Sequence, residues 1–575
     1  MKMISMKNIF LKSFSFLTAC VFAAGCIQET KPEGGTLTAE QVSESAIALE
    51  GILRGLPASM NTTNTMGYYS KYGVHTDFGI GAIHLMTEFT LNDAATLGDN
   101  PYYNRFYAQA LNQYQDSRYI YCAYFWDSYY TWIKIANDVI SVVNPESANA
   151  DQKIFLGQAL AYRASMYLDL ARLFEAKPVR DEYALAHGYV LPESIIGLTV
   201  PIVTPGMSEQ DAKNNPRATR EEMYAFIIKD LDDAEKYLAN TAFNYTTPSL
   251  YAVYGLKARA YLEMGYWMDE HSNEYFSKAA EYARKAIDES GRTILTKDQW
   301  QDPTNGFNNG AANGSWIWGQ VSSSENLGNI ICFTAHISTE GTWGYAPLSH
   351  IGADRKFYDA IPDTDWRKAS WLSPEFIENP ESEEFKSVYK FAGSAEDRKN
   401  YIYGNSKLQI PAAVAYQNIK FRPAQGECSD YNIGNITDMC LMRIEEMYFI
   451  EAEAVAHTDF AEGKSLLEAF VKTRNPEYTC NANTLGVFLI DDLLFQKRIE
   501  FWGEGILIYD YKRLDAGIQR GYAGTNQASV YRLNCTGRSP QWNFVITRGE
   551  FQSNNGINDA TNNPDPSEKI ELWKE

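Results

Sequence analysis

The thiol of Cys26 has the most specific predicted chemistry in the sequence. It follows Phe22-Ala23-Ala24-Gly25, an apolar stretch that begins at Phe14, and a leader with three lysines. Small residues directly before a cysteine are typical of a bacterial lipoprotein leader, whose removal leaves the cysteine as the lipidated first residue. The apolar stretch is too short to span a hydrocarbon layer of about 30 Å. The sequence therefore predicts a lipid-anchored chain, with an ordinary secretory leader cut near Gly25 as the alternative.

The residues after Cys26 form a polar tether, Ile27-Gln28-Glu29-Thr30-Lys31-Pro32-Glu33-Gly34-Gly35. Its two acidic residues resemble the export signal that places lipoproteins of Bacteroidetes-type bacteria on the outer face of the outer membrane. Each buried methylene of an acyl chain contributes roughly 0.8 kcal/mol, so two or more chains would hold the protein stably on a membrane. No later stretch approaches about 18 uninterrupted apolar residues, so no transmembrane helix is predicted.

The sequence contains no motif that is specific for an enzyme. It has no H-E-x-x-H, no G-x-S-x-G, no P-loop and no dinucleotide fingerprint. Carboxylates are abundant, so pairs at the separation that a glycosidase needs must occur by chance. We expect a protein without catalytic residues, cofactor or metal.

The cysteines beyond the leader are widely scattered and show no C-x-x-C or Cys/His cluster with metal-ligand spacing. We expect buried free thiols or one or two incidental disulfides among these residues: Cys122, Cys332, Cys428, Cys440, Cys480 and Cys535.

The composition excludes some partners and favours others. A formal net charge of −21 repels nucleic acid phosphates and anionic lipid. Aromatic residues reach 14%, led by 38 Tyr, and tyrosine suits a surface that must be both apolar and hydrogen-bonding. The mature chain of about 550 residues is long enough for one large or two intimately packed domains.

Helical periodicity dominates much of the chain. Over 155–174, apolar residues recur at spacings of three and four, which predicts an amphipathic helix that Pro178 ends. Thr219 with Glu222 predicts a capping box, and the pattern predicts a helix over 221–238 directly after it.

Two stretches predict helix pairs of tetratricopeptide size. Residues 249–267 place the small residues Gly255, Ala258 and Ala260 where another helix must approach, and a second helix follows over 276–287. A second pair and one further helix are predicted at 442–457, 461–473 and 488–502.

The amino-acid composition changes between Trp300 and Gln425. Gly, Asn, Ser and Pro are dense there, and large aromatics interrupt short apolar runs. This predicts long ordered loops with a few strands on the helical scaffold, because the aromatic content argues against disorder. Trp316 and Trp318 share one face of a predicted strand, 315–321, and are expected in the core.

The order of these segments resembles the SusD/RagB family of outer-membrane nutrient-binding lipoproteins. Each matching stretch is weak alone, and their order behind the lipoprotein leader makes the resemblance specific. The stretches are Ala159-Leu160-Ala161-Tyr162-Arg163-Ala164, Arg220-Glu221-Glu222-Met223-Tyr224, Leu256-Lys257-Ala258-Arg259-Ala260-Tyr261-Leu262, Arg443-Ile444-Glu445-Glu446-Met447-Tyr448, Arg498-Ile499-Glu500-Phe501, Glu504-Gly505 and Asp510-Tyr511-Lys512-Arg513. The family often has an arginine two residues after Glu504-Gly505, where this chain has Leu507.

The resemblance implies a mainly α fold, a tetratricopeptide-like SusD-like scaffold with long ordered loops and a few short strands. It also implies capture of a nutrient oligosaccharide or polysaccharide at the cell surface and its delivery to a SusC-like TonB-dependent transporter. The alternatives are a peptide-capturing RagB-like lid, a tetratricopeptide scaffolding protein and a glycosidase. The expected regions are a signal peptide at 1–25, a lipidated tether at 26–45, an N-terminal helical region at 46–290 and a C-terminal region at 291–575 with the loop-rich 300–425.

A sugar ring has an apolar face that an aromatic ring can cover, and a polar rim that Asn, Asp, Arg or Tyr side chains can satisfy. Covering roughly 50 Å² of that face contributes about 1 kcal/mol, so several aromatic residues are needed. Ligand sites of the family resemble an aromatic arc drawn from an early loop and from the loops after the third helical segment. The resemblance thus implies these ligand contacts, each with core packing as its alternative: Tyr102, Tyr103, Asn104, Trp300, Asn305, Trp343 and Tyr345.

Overall fold

The computed structural model describes residues 45–61, 75–97, 110–267, 269–325 and 330–575. The leader, Cys26 and nearly all of the tether lie outside these ranges, as do the predicted ligand contacts Tyr102, Tyr103 and Asn104. The described residues form a mainly α structure with a few short strands, which confirms the predicted fold class.

Long helices form the scaffold, and most of them contact the next one along the chain. Helix α3 packs on α4, α4 on α5, α5 on α6 and α6 on α7, after which α7 packs on α8 and α8 on α9. Both predicted helix pairs, α6 with α7 and α8 with α9, are present. The bounds are α1 Ala46–Asn61, α2 Ile80–Glu88, α3 Ile120–Val142, α4 Ala150–Phe174, α5 Arg220–Leu238, α6 Leu250–Trp267, α7 Ser272–Glu289, α8 Ile444–Thr458 and α9 Phe460–Val471.

Local sequence explains where these helices begin and how closely they approach their neighbours. The Thr219 side chain accepts from the Glu222 N–H and the Glu222 side chain from the Thr219 N–H, so the predicted capping box is confirmed. A Cβ at Gly255 would clash with Met442 Sδ, so a larger residue here would require the Met442 side chain to move. Met442 belongs to a strand, whereas the sequence predicted an approaching helix at this point.

The region 300–425 contains more helix than the sequence predicted. Ser373, Ser382 and Ser394 each accept a backbone N–H at the start of a short helix. These helices are too short to show a clear apolar period. The short helices in and around this region are Lys297–Gln301, Phe333–Ile337, Ala346–Ser349, Arg355–Ala360, Pro374–Glu378, Glu383–Val388, Ala395–Tyr403 and Tyr431–Gly434.

The remaining short helices lie before α5 and after α9. The helix predicted over 488–502 is observed as a π-helical turn, Phe488–Leu494, followed by an α-helix, Phe495–Phe501. The others are Glu182–Ala186, Glu209–Ala212, Leu485–Val487, Leu507–Arg513 and Arg548–Ser553.

The strands form small antiparallel sheets. β1 (Ala94–Thr96) pairs with β3 (Ile351–Ala353), and β2 (Trp316–Gln320) pairs with β4 (Met439–Arg443). β6 (Leu533–Cys535) lies between β5 (Ile518–Gln519) and β7 (Glu571–Leu572). Trp316 and Trp318 on β2 are 0% and 2% exposed, which confirms their prediction as core residues.

One contiguous hydrophobic core includes residues from Leu49 to Ile570, and a smaller cluster surrounds Phe376. All six cysteines of the described ranges are buried free thiols. Among the described residues, the structure contains no helix that could serve as a transmembrane span.

A buried network of charges joins the C-terminal helices to the loop-rich region. The Glu500 carboxylate accepts from Arg443 at 2.8 Å, from Arg367 at 2.9 Å, and from Arg474 at 3.1 and 3.2 Å. The nearby arginines hold the pKa of Glu500 well below its usual range against the effect of burial. The network pairs four cations with four carboxylates, all at most 4% exposed: Arg367, Lys420, Arg443, Arg474, Asp365, Glu445, Glu500 and Glu504.

We predict that Glu500→Gln lowers the free energy of unfolding by about 3–5 kcal/mol, because it leaves three buried arginines short of one charge. Urea unfolding would measure this change. The matched control is Asp233→Asn, which removes an exposed partner of Lys229 and should cost less than about 1 kcal/mol. Equal losses in the two variants would show that the network does not fix the fold.

Glu88, at the end of α2, generates a prediction about pH. Burial raises its pKa to about 8, while one carboxylate oxygen accepts from the Gly503 N–H at 3.1 Å. Because the folded chain keeps this proton above the pKa of an unfolded glutamate, the contribution of Glu88 to stability should be lost as pH rises from about 5 to 8. Thermal melts of Glu88→Gln and the parent protein over this pH range measure the contribution, and the difference between their stabilities should change with pH; a constant difference would contradict the assignment.

Candidate functional site

Three loops meet at a partly exposed surface. A Cβ at Gly426 would lie 3.5 Å from Thr304 Oγ1, and both the N–H and the hydroxyl of Thr342 donate to the Cys428 carbonyl, at 2.8 and 2.9 Å. The surface therefore combines parts of 302–305, 341–343 and 425–434. We call it the Trp343 surface and define it by Asn305, Trp343, Glu427, Asp430, Tyr431 and Asn432.

The Trp343 indole lies against two glycines and is half-buried. A Cβ at Gly434 would come within 2.6 Å of Trp343 Cζ2, and one at Gly341 within 3.2 Å of its Cε2. The two glycines thus admit the ring and fix its position. The indole N–H finds no hydrogen-bond acceptor among the described residues. The nitrogen is shielded from solvent, so the part of the indole that a ligand can reach is carbon surface.

The turn beside the indole carries polar groups in fixed positions. One oxygen of Glu427 accepts from the N–H groups of Ser429 at 2.7 Å and of Asp430 at 2.9 Å. Asp430 in turn accepts from the backbone and the side-chain amide of Asn432, at 2.9 and 2.8 Å. The Tyr431 ring is half-buried, and its hydroxyl makes no hydrogen bond with a described residue. An aromatic face and a rim of carboxylate, amide and hydroxyl groups therefore lie together.

Arg422 joins the three loops beneath this surface. Its guanidinium donates to Glu340 at 2.6 Å, and Glu340 directly precedes Gly341. Its backbone N–H donates to Asn308 Oδ1 at 3.1 Å, and its carbonyl accepts from Asn308 Nδ2 at 2.8 Å. Since Arg422 and Glu340 are 4% exposed, the pair is buried and fixes the loops relative to one another.

Trp300 does not belong to this surface, and its prediction as a ligand contact is wrong. The residue is 2% exposed, and its indole N–H donates to Ser370 Oγ at 2.9 Å. Its ring centroid lies 5.7 Å from that of Trp366 and 5.0 Å from the Lys420 ammonium. Trp300 therefore forms one wall of the buried charge network.

The prediction for Tyr345 is also wrong. The residue is 6% exposed, its hydroxyl is hydrogen-bonded to His75 Nδ1, and burial raises its pKa to about 12. Gly344 has φ +95°, and the Tyr345 N–H then donates to the Ala335 carbonyl at 2.7 Å. This turn leaves Trp343 half-exposed while Tyr345 enters the core.

Of the other predicted contacts, Asn305 is exposed and Trp343 half-exposed, while Tyr102, Tyr103 and Asn104 lie outside the described residues. The sequence reasoning missed Glu427, Asp430, Tyr431 and Asn432. They follow Gln425, where the loop-rich region was predicted to end. The same rule of an aromatic residue among amides and carboxylates would have identified them.

The described residues show no grouping for a metal ion. Among the residues of the described ranges, no three His, Cys, Asp or Glu side chains come together in a way that could hold one. The Trp343 surface offers hydrogen-bonding and stacking groups. Its chemistry suits a neutral, hydroxyl-rich ligand.

Comparison with known proteins shows what this chain resembles. Residues 82–262 match the model of a SusD-like family described as starch-binding and associating with the outer membrane. A SusD-like protein of Formosa agariphila, P38, is 26% identical over 179 residues, which cover 31% of this chain and 29% of the relative. The matched segment thus spans less than a third of that relative's length.

Solved structures share the fold over nearly the whole chain. A SusD-like carbohydrate-binding protein from Bacteroides vulgatus has a TM-score of 0.65 at 20% identity and covers 90% of this chain and 98% of its own. Surface glycan-binding protein A from Bacteroides thetaiotaomicron, in complex with laminarihexaose, has a TM-score of 0.59 at 16% identity with the same coverages. The resemblance predicted from the sequence is confirmed, in sequence for 82–262 and in fold for 90% of the chain.

We predict that Trp300→Phe and Trp343→Phe differ in their effect on stability. Trp300→Phe loses a satisfied buried hydrogen bond and should lower the free energy of unfolding by about 1–3 kcal/mol. Trp343→Phe removes a donor with no described acceptor and should change it by less than about 1 kcal/mol. Urea unfolding of both variants measures the difference, and an equal loss would contradict the assignment of Trp300 to the core and Trp343 to the surface.

Proposed function

Since the chain is SusD-like in sequence and fold, we propose that it captures a glycan at the Trp343 surface without altering it. The observation that carries this proposal is the Trp343 indole, which lies against two glycines and stays partly exposed beside the polar turn 427–432. A sugar ring stacked on such a ring would place its oxygens near Asn432 and the flanking carboxylates.

The energetics favour a polymer or a long oligosaccharide as ligand. One aromatic platform contributes about 1 kcal/mol, which gives only weak binding to a single sugar. Trp343 and Tyr431 together can contact more than one ring, and a polymer presents many equivalent rings. Capture of nutrient polysaccharide fits this weak, repeated contact better than tight recognition of a monosaccharide.

Anchoring and delivery belong to the same proposal. Acylation of Cys26 would attach the chain to the outer membrane, and the tether would let the captured glycan reach a neighbouring transporter. A SusC-like TonB-dependent barrel is the partner that the family resemblance implies. The surface carboxylates support binding rather than catalysis, because Glu427 and Asp430 are engaged by backbone N–H groups.

The test is affinity electrophoresis of the chain from residue 27 onward in gels that contain neutral plant, host or microbial polysaccharides. We predict that one polysaccharide class retards the protein and that Trp343→Ala weakens the interaction about fivefold or more, the loss of about 1 kcal/mol from one stacked ring. Asn432→Ala should weaken it less, because it removes one polar contact.

The matched control is Trp366→Phe. Trp366 is also half-buried, but its indole N–H donates to the Thr473 carbonyl at 3.0 Å, away from the Trp343 surface. Trp366→Phe should be retarded like the parent protein. If the glycan gel retards Trp343→Ala as much as the parent protein, the Trp343 surface is not the binding site. If the parent protein binds peptide digests and no glycan, the function is peptide capture and not glycan capture.

A further inference from the structure

A second polar groove lies between 116–118 and 545–565. It encloses about 780 Å³, which is within the range of about 300–1,000 Å³ of ligand sites. It shares no residue with the Trp343 surface. Side chains of both charges, together with an aromatic ring, line it: Asp116, Arg118, Arg548, Phe551, Asp559 and Asp565.

Two stacked tyrosines flank in sequence the segment 116–118, which lines one side of this groove. The rings of Tyr114 and Tyr119 lie 4.7 Å apart with an angle of 10° between their planes. Tyr114 is 53% exposed, which is unusual for a large aromatic side chain in this protein. Tyr119 covers one face of the Tyr114 ring, so the opposite face is available to a ligand.

The backbone keeps this tyrosine in place at an energetic cost. Tyr114 has φ 56° and Asn112 has φ 53°, a region that side chains other than glycine rarely adopt. The buried Asn112 amide donates to the Pro566 carbonyl at 2.9 Å and accepts from the Lys569 N–H at 2.9 Å. Strained residues held by their surroundings concentrate at ligand sites, and here the strain places an aromatic ring in solvent.

The two walls of the groove are joined and cannot close on one another. The Arg548 N–H donates to the Ser117 carbonyl at 2.7 Å, and the Gln115 N–H donates to Ser567 Oγ at 2.9 Å. The groove is therefore a preformed feature of the fold. Preformed sites bind without the entropic cost of ordering their walls.

The charges of the groove define the ligand class. Asp116 pairs with Arg118 at 2.9 Å, and Arg548 is exposed with no ion pair to any carboxylate that the structure describes. Three aspartates face two arginines, so the groove has a small negative balance and both donors and acceptors. Such a surface suits the hydroxyls of a neutral sugar and disfavours a polyanion.

We propose that Tyr114 and this groove form a second binding surface for neutral polysaccharide, separate from the Trp343 surface. The choice of a glycan as ligand rests on the proposed function, whereas the identification of the surface residues does not. A polymer that contacts both surfaces at once would bind more tightly than either surface alone allows, because the second contact becomes intramolecular.

The experiment compares Tyr114→Ala, Trp343→Ala and the double variant in the same affinity gels, with polygalacturonate as the polyanionic probe. Tyr403→Ala is the matched control, because Tyr403 is also 53% exposed and lies on the helix Ala395–Tyr403, which does not line the groove. We expect each single variant to weaken binding of the retained neutral polysaccharide at least about fivefold, and the double variant to abolish it. Calorimetry with a hexasaccharide of that polysaccharide should give two sites per parent chain and one per single variant.

The outcomes separate this proposal from the function of the Trp343 surface. Loss of binding in Tyr114→Ala with retention in Trp343→Ala would support the groove and refute the Trp343 surface. The second surface would be overturned if Tyr114→Ala bound the polysaccharide as tightly as the parent protein or if calorimetry gave one site per parent chain. It would also be overturned if the parent protein preferred polygalacturonate, or if it bound peptides in place of glycans. If no neutral polysaccharide retards the parent protein, both proposals fall.

Discussion

The buried carboxylate of Glu500 is the interaction on which the arrangement of this protein depends. It brings together arginines from three separate parts of the chain, at positions 367, 443 and 474. Charges that are removed from water must be paired in good geometry, so the backbone segments that carry them have few alternative positions. Arg443 ends strand β4 and directly precedes α8, and the network therefore fixes the helical scaffold against the loop-rich region.

The same principle operates closer to the surface. Lys420 belongs to the network, and Arg422, two residues later, pairs with Glu340. The segment that follows Arg422 forms the turn of the Trp343 surface, and the segment that follows Glu340 carries Trp343 itself. Loops that would otherwise move freely are thus tied to the core, which makes a shallow aromatic surface rigid enough to recognise a ligand.

The sequence correctly predicted features that depend on residues close to one another along the chain. The capping box at Thr219 and the close contact at Gly255 follow from local residue types, as do the core tryptophans of β2. It could not separate Trp300 from Trp343. Trp300 is buried because Ser370, 70 residues away, accepts its indole N–H, and Tyr345 because Gly344 turns the chain inward. The burial of Trp300 depends on a distant partner that no local pattern encodes, and that of Tyr345 on the backbone conformation that Gly344 adopts.

Hydrogen–deuterium exchange of the chain with and without a retained polysaccharide tests the central claim most directly. The account predicts that the glycan slows exchange at 341–343 and 427–432, while the helix Lys297–Gln301, which carries the buried Trp300, exchanges equally in both states. Slower exchange at other segments with no change at 341–343 and 427–432 would contradict glycan capture at the Trp343 surface.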